Sequence, residues 1–173
     1  IDPDTFRNQQ SLYDLTLYNN LIESIEPSTF DSMTNLDSLW LSRNKLVALD
    51  ANTFSKLANL ITLYLDDNHI STIDPAIFRS LEKLQELNLF NNRISSISPE
   101  MFSTTVGLKE LDLCHNQISC IPSAVFEALP NLAYLDLRFN PMVENEPSLY
   151  DNIENLKKLL PSLVMLNQRD ARN

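Results

Sequence analysis

Glycine is almost absent from this chain, whose 173 residues include only one, Gly107. A glycine-rich loop that cradles a phosphate group is therefore excluded, because such loops need several glycines at fixed spacing. Cysteine is also scarce, and the two that occur, Cys114 and Cys120, are too few for a framework of disulfide bonds. A disulfide between these two residues would need a tight arc, and two free thiols are the more ordinary alternative.

Positive charge is scarce as well. The chain has 13 Lys and Arg residues against 23 Asp and Glu residues, which gives a formal net charge of -10. Nucleic acids and anionic membranes attract proteins with an excess of Lys and Arg, so the charge predicts that neither is a partner. No apolar run approaches the ~20 residues of a membrane-spanning helix, and no stretch has the features of a signal peptide.

The chain is built instead from a motif that returns every 24 residues. The motif begins LxxLxLxxN and continues with IxxIxPxxF. Its first leucine lies at Leu12, Leu36, Leu60, Leu84, Leu108 and Leu132, and its asparagine lies at Asn20, Asn44, Asn68, Asn92, Asn116 and Asn140. A period of this length, kept without a slip, predicts a solenoid in which each repeat packs its apolar side against its neighbours.

Each repeat should contribute one short strand and one return segment. The leucines at positions 4 and 6 alternate with other residues, which predicts a strand, and the connections predict that successive strands are parallel. The asparagine at position 9 should turn the chain out of the strand and form a ladder with its equivalents. The return segment is short and marked by proline, so we expect irregular, polyproline-like or 3₁₀ turns there. A column of rings should pack on that side, formed by Phe6, Phe30, Phe54, Phe78, Phe102 and Phe126.

We interpret the chain as one domain, 1–173. It starts with a partial repeat at 1–11, continues with repeats at 12–35, 36–59, 60–83, 84–107, 108–131 and 132–145, and ends with a cap at 146–173. The partial repeat lacks a strand, so we expect that further residues once covered this end. In the cap, one apolar helical stripe is formed by Leu149, Ile153, Leu156 and Leu160. Leu163 and Leu166 repeat the first leucine spacing, which predicts half of a further strand.

These motifs resemble the typical 24-residue class of leucine-rich repeat proteins, LxxLxLxxNxIxxIxPxxFxxLxx, over residues 1 to about 140. The resemblance implies an α/β fold. Its architecture would be a right-handed solenoid, or horseshoe, with a parallel β-sheet on the concave face. Irregular or 3₁₀ turns would form the convex side, and a helical cap would close the C-terminal end.

The resemblance indicates two compartments. The repeat class is similar to that of animal extracellular receptors and matrix proteins, which usually close with cysteine-rich caps. The tail is instead similar to the cysteine-free cap of intracellular leucine-rich repeat proteins, with Leu166-Asn167 in place of a final Leu-Asp. We therefore expect a reducing cytosol, including that of a host cell entered by a bacterial protein, with an extracellular location as the alternative. The absence of an Asn-x-Ser/Thr glycosylation motif favours the first location.

Members of this family commonly bind proteins through the concave sheet, so its outward positions are the candidate site. Trp40 and Tyr64 are neighbours there, and large aromatic side chains are enriched at binding hot spots. Glu86 lies beside Glu110, and such pairs of like charge cost stability unless a cationic partner compensates them. The candidate partner-binding residues are Tyr18, Trp40, Tyr64, Asp66, Glu86, Phe90, Glu110, Asp112, Tyr134, Asp136 and Arg138.

The resemblance and these residues together predict a non-enzymatic module that binds another protein with a basic patch. Two alternatives stay open: an inhibitor that occludes the active site of a partner enzyme, and the ligand-binding fragment of a receptor ectodomain. The alternative explanation is that the aromatic residues occur here because they favour β-strands, and that the acidic residues only reflect the acidic composition of the chain. Neither a cofactor nor a metal ion nor a small-molecule substrate is expected. Cys114 and His115 are adjacent, so they should point to opposite sides of a strand instead of forming a nucleophile–base pair.

Overall fold

The computed structural model describes residues 1–141 and the backbone of one strand at 164–166. Its strands, in chain order, are β1 Asp14–Thr16, β2 Ser38–Trp40, β3 Thr62–Tyr64, β4 Glu86–Asn88, β5 Glu110–Asp112, β6 Tyr134–Asp136 and β7 Val164–Leu166. These seven described strands form one sheet in sequence order, and every neighbouring pair is parallel. The parallel-sheet solenoid predicted from the repeat is therefore confirmed.

Each strand has three residues, and the central one is buried in β2 to β6. That residue is the leucine at position 4, and Leu39, Leu63 and Leu135 are fully buried. The residues on either side of it point away from the interior and are partly or fully exposed in β1 to β5. One leucine per strand therefore anchors the sheet to the core and leaves two side chains per strand on the opposite face.

From β1 to β6 the register between strands does not change. Each residue lies opposite its equivalent one repeat later, so that Leu39 faces Leu63 and Trp40 faces Tyr64. Backbone hydrogen bonds continue the pairing past the strand ends, as in the 2.8 Å bond from the Leu41 N–H to the Tyr64 carbonyl. Residues at the same position of successive repeats therefore form straight columns across the sheet, with about 4.8 Å between neighbours in a column.

A ladder of buried asparagines fixes this register. The Asn68 side-chain amide donates to the carbonyls of Leu41 and Leu65, both at 3.0 Å, and its oxygen accepts the Leu46 N–H at 3.0 Å. The same set of bonds recurs in the other ladder members Asn44, Asn92, Asn116 and Asn140. Each asparagine thus satisfies backbone groups of its own repeat and of the repeat before it, as predicted from its spacing.

The residue before each ladder asparagine has a left-handed backbone conformation. Its φ lies between 50° and 58° in all six repeats, at Asn19, Arg43, Asp67, Asn91, His115 and Phe139. Glycine adopts this conformation without cost, whereas a bulky residue such as Phe139 is strained by roughly 1 kcal/mol. From Asn19 to His115 the backbone N–H of this residue donates to a carbonyl of the next repeat, as from Arg43 to Asp66 at 2.9 Å, and this pairing holds the turn without glycine.

The return segments contain the short turns expected there. Two are 3₁₀ helices, Pro3–Phe6 and Pro99–Phe102, and one is a short α-helix, α1, Ser123–Glu127. Pro122 precedes α1 directly, which explains why the proline comes one residue early in this repeat. Phenylalanines from successive turns form the predicted column, with ring centroids 6.1–6.3 Å apart in the stacked pairs Phe6–Phe30, Phe30–Phe54 and Phe78–Phe102.

The C-terminal cap is described only in part. The predicted helix over 149–160 lies outside the described residues. The predicted half-strand overlaps β7, which pairs with β6, but its register is shifted by one residue. The leucine spacing predicts Leu166 at position 4, whereas Met165 lies opposite the position-4 residue Leu135. Within 1–141 and 164–166, no helix has the length and hydropathy needed to cross a membrane.

Replacing Asn68 by alanine tests the ladder. We expect Asn68→Ala to lower the free energy of unfolding by at least about 2 kcal/mol, because it leaves buried backbone groups without partners. Asn20→Ala is the matched control, since Asn20 has the same repeat position but is exposed and bonds only to carbonyls of its own repeat. Its cost should stay below about 1 kcal/mol. Urea unfolding of both variants measures the difference, and equal costs would contradict a register held by the buried ladder.

Candidate functional site

The outward residues at positions 3, 5, 7 and 8 of the repeats form one continuous face, which we call the sheet surface. Its residues come from the same columns in every repeat, so side chains 24 residues apart in sequence are neighbours in space. The eleven residues predicted as the candidate site all lie in these columns, although their burial and partners differ widely.

Trp40, Tyr64 and Glu86 form one contact chain across β2, β3 and β4. The rings of Trp40 and Tyr64 meet edge to face with their centroids 4.3 Å apart. The Tyr64 hydroxyl donates to a carboxylate oxygen of Glu86 at 3.2 Å. Burial, together with the nearby Glu86 carboxylate, raises the pKa of Tyr64 to about 12, so this hydroxyl keeps its proton. Both rings are therefore fixed in position before any partner binds.

Beside this chain lies a cavity of about 200 Å³, which we call the acidic cavity. It is lined by Tyr64, Glu86, Leu87, Asn88, Glu110, Asp112 and Tyr134, which come from the four neighbouring strands β3 to β6. Glu86, Glu110 and Tyr134 lie in one column, while Tyr64, Asn88 and Asp112 lie in the next. The fixed register thus brings together residues that are up to 70 positions apart in the sequence.

The carboxylates of the acidic cavity form no ion pair with a cationic side chain among the described residues. In residues 1–141 the ion pairs are Arg7–Asp4, Arg43–Asp67 and Arg138–Asp136, and none of them involves Glu86, Glu110 or Asp112. Burial raises the pKa of Asp112, and the nearby Asp136 carboxylate raises it further. Arg138 lowers the pKa of Asp112, but by less than burial raises it, so the negative charge concentrated here is only partly compensated and costs stability in the free protein.

Asp136 differs from the expectation that it would face a partner. It is only 1% exposed, and it accepts hydrogen bonds from the Arg138 guanidinium, at 3.0 Å from Nε and 2.6 Å from the terminal nitrogen. Its Oδ1 also accepts the Arg138 backbone N–H at 3.0 Å. Neither the burial nor the pairing can be deduced from column positions alone, because Arg138 folds back onto the residue two positions before it. Asp136 therefore positions Arg138, which stays half-buried on the surface.

Cys114 lies between Asp112 and Asp136, and the three possible ligand atoms fall within 4.8 Å of one another. Burial and the two neighbouring carboxylates raise the pKa of the Cys114 thiol to about 12. A thiol that stays protonated is a poor nucleophile. Arg138 already pairs with Asp136. We therefore interpret this cluster as buried side chains that pack together and not as a reactive site. The alternative of two free thiols is the one adopted, with Cys114 buried and Cys120 exposed.

The N-terminal part of the sheet surface is a network of paired polar groups. The Arg43 guanidinium lies 5.3 Å from the centroid of the exposed Tyr18 ring and also bonds to Asp67 at 3.3 Å. The Ser42 hydroxyl donates to the half-buried Asp66 carboxylate, and burial raises the pKa of that carboxyl. Tyr18 and Asp66, both in the candidate set, are thus already engaged, in contrast to the acids of the cavity.

The C-terminal part carries an aromatic cluster that was only partly predicted. The His115 ring stacks on Phe139, with centroids 4.1 Å apart, and meets Phe90 edge to face at 5.4 Å. Phe139 remains 49% exposed. His115 is not among the predicted site residues, and its place in this cluster depends on the left-handed turn at position 8. The sequence signal that could have identified His115 is its place at position 8 of the repeat, the same position as Phe139.

A larger depression of about 650 Å³ lies beside the sheet surface, and Lys83, Gln85, Gly107 and Lys109 are among its lining residues. Its lysines are held by neutral amides, since the Lys83 ammonium donates to Asn59 at 2.7 Å and that of Lys109 to Gln85 at 2.8 Å. The depression lacks the aromatic walls and the fixed polar groups of the acidic cavity, which makes the sheet surface the better candidate.

Comparison with known families agrees with this fold. The model of the family described as "Leucine rich repeat" matches three overlapping stretches of the chain, 1–46, 34–94 and 84–142. The chain belongs to the leucine-rich repeat family. Leucine-rich repeat domains generally act as protein–protein interaction modules and are typically non-enzymatic. A search of curated proteins finds no significant match.

Two solved structures are similar to this leucine-rich repeat domain. The crystal structure of the APL1 leucine-rich repeat domain has a TM-score of 0.76 at 23% identity, over 80% of this chain and 36% of that chain. A crystal structure of a TLR13–ssRNA13 complex has a TM-score of 0.70 at 34% identity, over 84% of this chain and 20% of that chain. The chain therefore spans about a third and a fifth of the lengths of these two proteins.

The raised pKa of Asp112 predicts the pH dependence of stability. The folded state binds this proton more readily than the unfolded chain does, so stability falls as pH rises from the ordinary value of 3.8 through the folded pKa. Asp112→Asn removes that cost and keeps the acceptor for the Cys114 N–H, as Asn88 does for Phe90 one repeat earlier. We expect this variant to be more stable at pH 7 by up to about 1 kcal/mol.

The gain should shrink towards zero below pH 3.8, where Asp112 is protonated in both states. Urea unfolding of the wild type and Asp112→Asn over this pH range measures it. Asp14→Asn, an exposed change on the same surface, is the control and should have little effect at any pH. A variant that is less stable at pH 7, or a gain that does not depend on pH, would refute the assignment.

Proposed function

We propose that this leucine-rich repeat domain binds a partner protein on its sheet surface. Trp40 and Tyr64 act as the apolar anchor, and Glu86, Glu110 and Asp112 meet a basic patch of the partner. The other predicted residues, Tyr18, Asp66, Phe90, Tyr134 and Arg138, contribute to the surrounding contacts, and Asp136 acts through Arg138. The observation that carries the proposal is the combination of a fixed aromatic pair with adjacent, only partly compensated carboxylates on one open face.

The aromatic pair supports an anchor role for two reasons. Trp and Tyr dominate binding hot spots because they bury a large area at a small cost in conformational entropy. Trp40 and Tyr64 are also held rigidly by their mutual contact and by the Tyr64–Glu86 hydrogen bond, so little of their freedom is left to lose on binding.

The charge of the surface supports a basic protein as the partner. Acids that are only partly compensated increase the association rate of a cationic partner and disfavour anionic ones. The similar TLR13 protein was crystallised with the RNA ssRNA13, which makes RNA the competing candidate here. An RNA ligand would have to approach the carboxylates of the acidic cavity, and the net charge of -10 repels a polyanion. We therefore infer a protein partner and no nucleic acid or membrane.

An inhibitory role is a special case of the same proposal. A partner enzyme with a basic active-site cleft would be occluded by this surface, whereas an adaptor or receptor would leave the cleft open. The domain itself would need no catalytic group in any of these roles. Only the identity of the partner distinguishes these roles, because the domain would use the same contact residues in each of them.

The substitution Trp40→Ala tests the proposal. We expect it to weaken the partner complex by about 2 kcal/mol or more, roughly a 30-fold rise in Kd, because it removes the central anchor. Proteins captured from the native source by the wild type are compared with those captured by the variant, and Kd is then measured for each protein that is lost. Tyr13→Ala is the matched control, because Tyr13 is a 58% exposed aromatic residue at position 2, outside the sheet surface.

Two outcomes would contradict the proposal. One is a captured protein whose Kd is unaffected by Trp40→Ala but rises with Tyr13→Ala. The other is tight binding of single-stranded RNA by the wild type that Trp40→Ala abolishes, which would make the surface a nucleic-acid site. Circular dichroism of both variants separates a loss of contact from a loss of folding.

A further inference from the structure

We propose that the acidic cavity receives the side chain of one arginine of the partner protein. This inference rests on the proposed function, and it names the chemical group that the surface recognises. The guanidinium would lie between the carboxylates of Glu86, Glu110 and Asp112, with its apolar stem in the depression between Tyr64 and Tyr134.

The form of the cavity suits a single long side chain. It is about 200 Å³ in volume, Leu87 contributes to its lining, and Tyr64 and Tyr134 come from the outer two of its four strands, β3 and β6. These strands are three spacings apart, about 14 Å, so the cavity is a depression between two aromatic side chains. Arginine stacks on aromatic faces, and its stem can cover apolar surface while its charge reaches polar groups.

The polar groups suit a cation with several donors. Glu86 and Glu110 lie directly opposite each other in neighbouring strands, so their carboxylates are presented side by side. The Tyr64 hydroxyl fixes one oxygen of Glu86 and leaves the other free to accept. A planar guanidinium can donate to two carboxylates at once, whereas the ammonium of lysine is a compact charge with stronger hydration.

An aspartate–arginine pair, which the cavity lacks, occurs elsewhere in the same chain. In the last repeat, the aspartate at position 5, Asp136, is bound by the arginine at position 7, Arg138. One repeat earlier, Asp112 occupies the same position 5, but position 7 is Cys114, which offers no positive charge. Both aspartates accept the backbone N–H two residues later, so their orientations are equivalent. An arginine from the partner would supply for Asp112 the group that Arg138 supplies for Asp136.

The proposal can be tested with a small probe that needs no knowledge of the partner. N-acetyl-arginine N-methylamide is titrated into the full chain labelled with ¹⁵N, and the amide shifts are followed by NMR. The neutral isostere N-acetyl-citrulline N-methylamide controls for shape, and the lysine analogue controls for charge alone. We expect saturable shifts in β3 to β6 with millimolar affinity for arginine, a weaker response for lysine and none for citrulline.

Matched double variants assign the effect to the cavity. Glu86→Gln/Glu110→Gln removes two charges and keeps the shape of the side chains, and it should raise the Kd of the arginine probe at least about tenfold. Asp14→Asn/Glu23→Gln makes the same change in net charge at exposed residues of the first repeat and should leave the Kd unchanged within twofold. Equal losses in the two variants, equal shifts with citrulline, or the absence of saturable shifts would overturn the arginine site.

The partner distinguishes this inference from the proposed function. If Trp40→Ala abolishes capture of a protein that Glu86→Gln/Glu110→Gln still binds with unchanged Kd, the sheet surface is the interface and the arginine site is wrong. If both variants weaken that complex and the control does not, both proposals stand. Unfolding curves of the double variants show whether each one is folded, and we expect the cavity variant to be at least as stable as the wild type, since it removes a pair of like charges.

Discussion

The hydrogen-bonded ladder of asparagines is the constraint on which the rest of the structure depends. Each buried asparagine closes backbone groups of two successive repeats, so the repeats can stack in only one register. Leucine burial alone is not directional, and a slip would move the same leucines into similar environments. The ladder removes that freedom. The left-handed turn precedes every asparagine at this position, including the exposed Asn20, and residues as bulky as Phe139 adopt it.

Because the register is fixed, residues at the same position of each repeat form columns on the sheet surface. The acidic cavity exists because four successive strands each bring between one and three residues to the same place. The side chains on this face add little to the core, so they are free to carry groups that oppose folding. Glu86 beside Glu110, and the half-buried Asp112, are such groups. A domain that keeps only partly compensated charges where neutral residues would fold better resembles other proteins in which a binding site costs stability.

The periodic features could be predicted from the sequence, because a single repeated rule produces them: the parallel strands, the ladder, the phenylalanine column and the columns of outward residues. The non-periodic features could not. Asp136 belongs by position to the exposed face, yet it is buried and bound by Arg138, and this pairing depends on a rotamer that spacing does not encode. The stacking of His115 on Phe139 follows from the conformation at position 8, and α1 follows from the early placement of one proline. The sequence therefore predicts on which face of the sheet a side chain lies, but not whether another side chain of the protein already binds it there.

Hydroxyl-radical footprinting of the free and partner-bound protein tests the central claim most directly, because it reports the solvent access of individual side chains on each face. The account predicts that binding reduces oxidation of Trp40, Tyr64 and Tyr134 on the sheet surface. Tyr13 and Val106, which are exposed elsewhere, should react at the same rate in both states. Protection of Val106 and its neighbours in the return segments, with Trp40 and Tyr64 unchanged, would contradict a binding site built on the columns of the sheet.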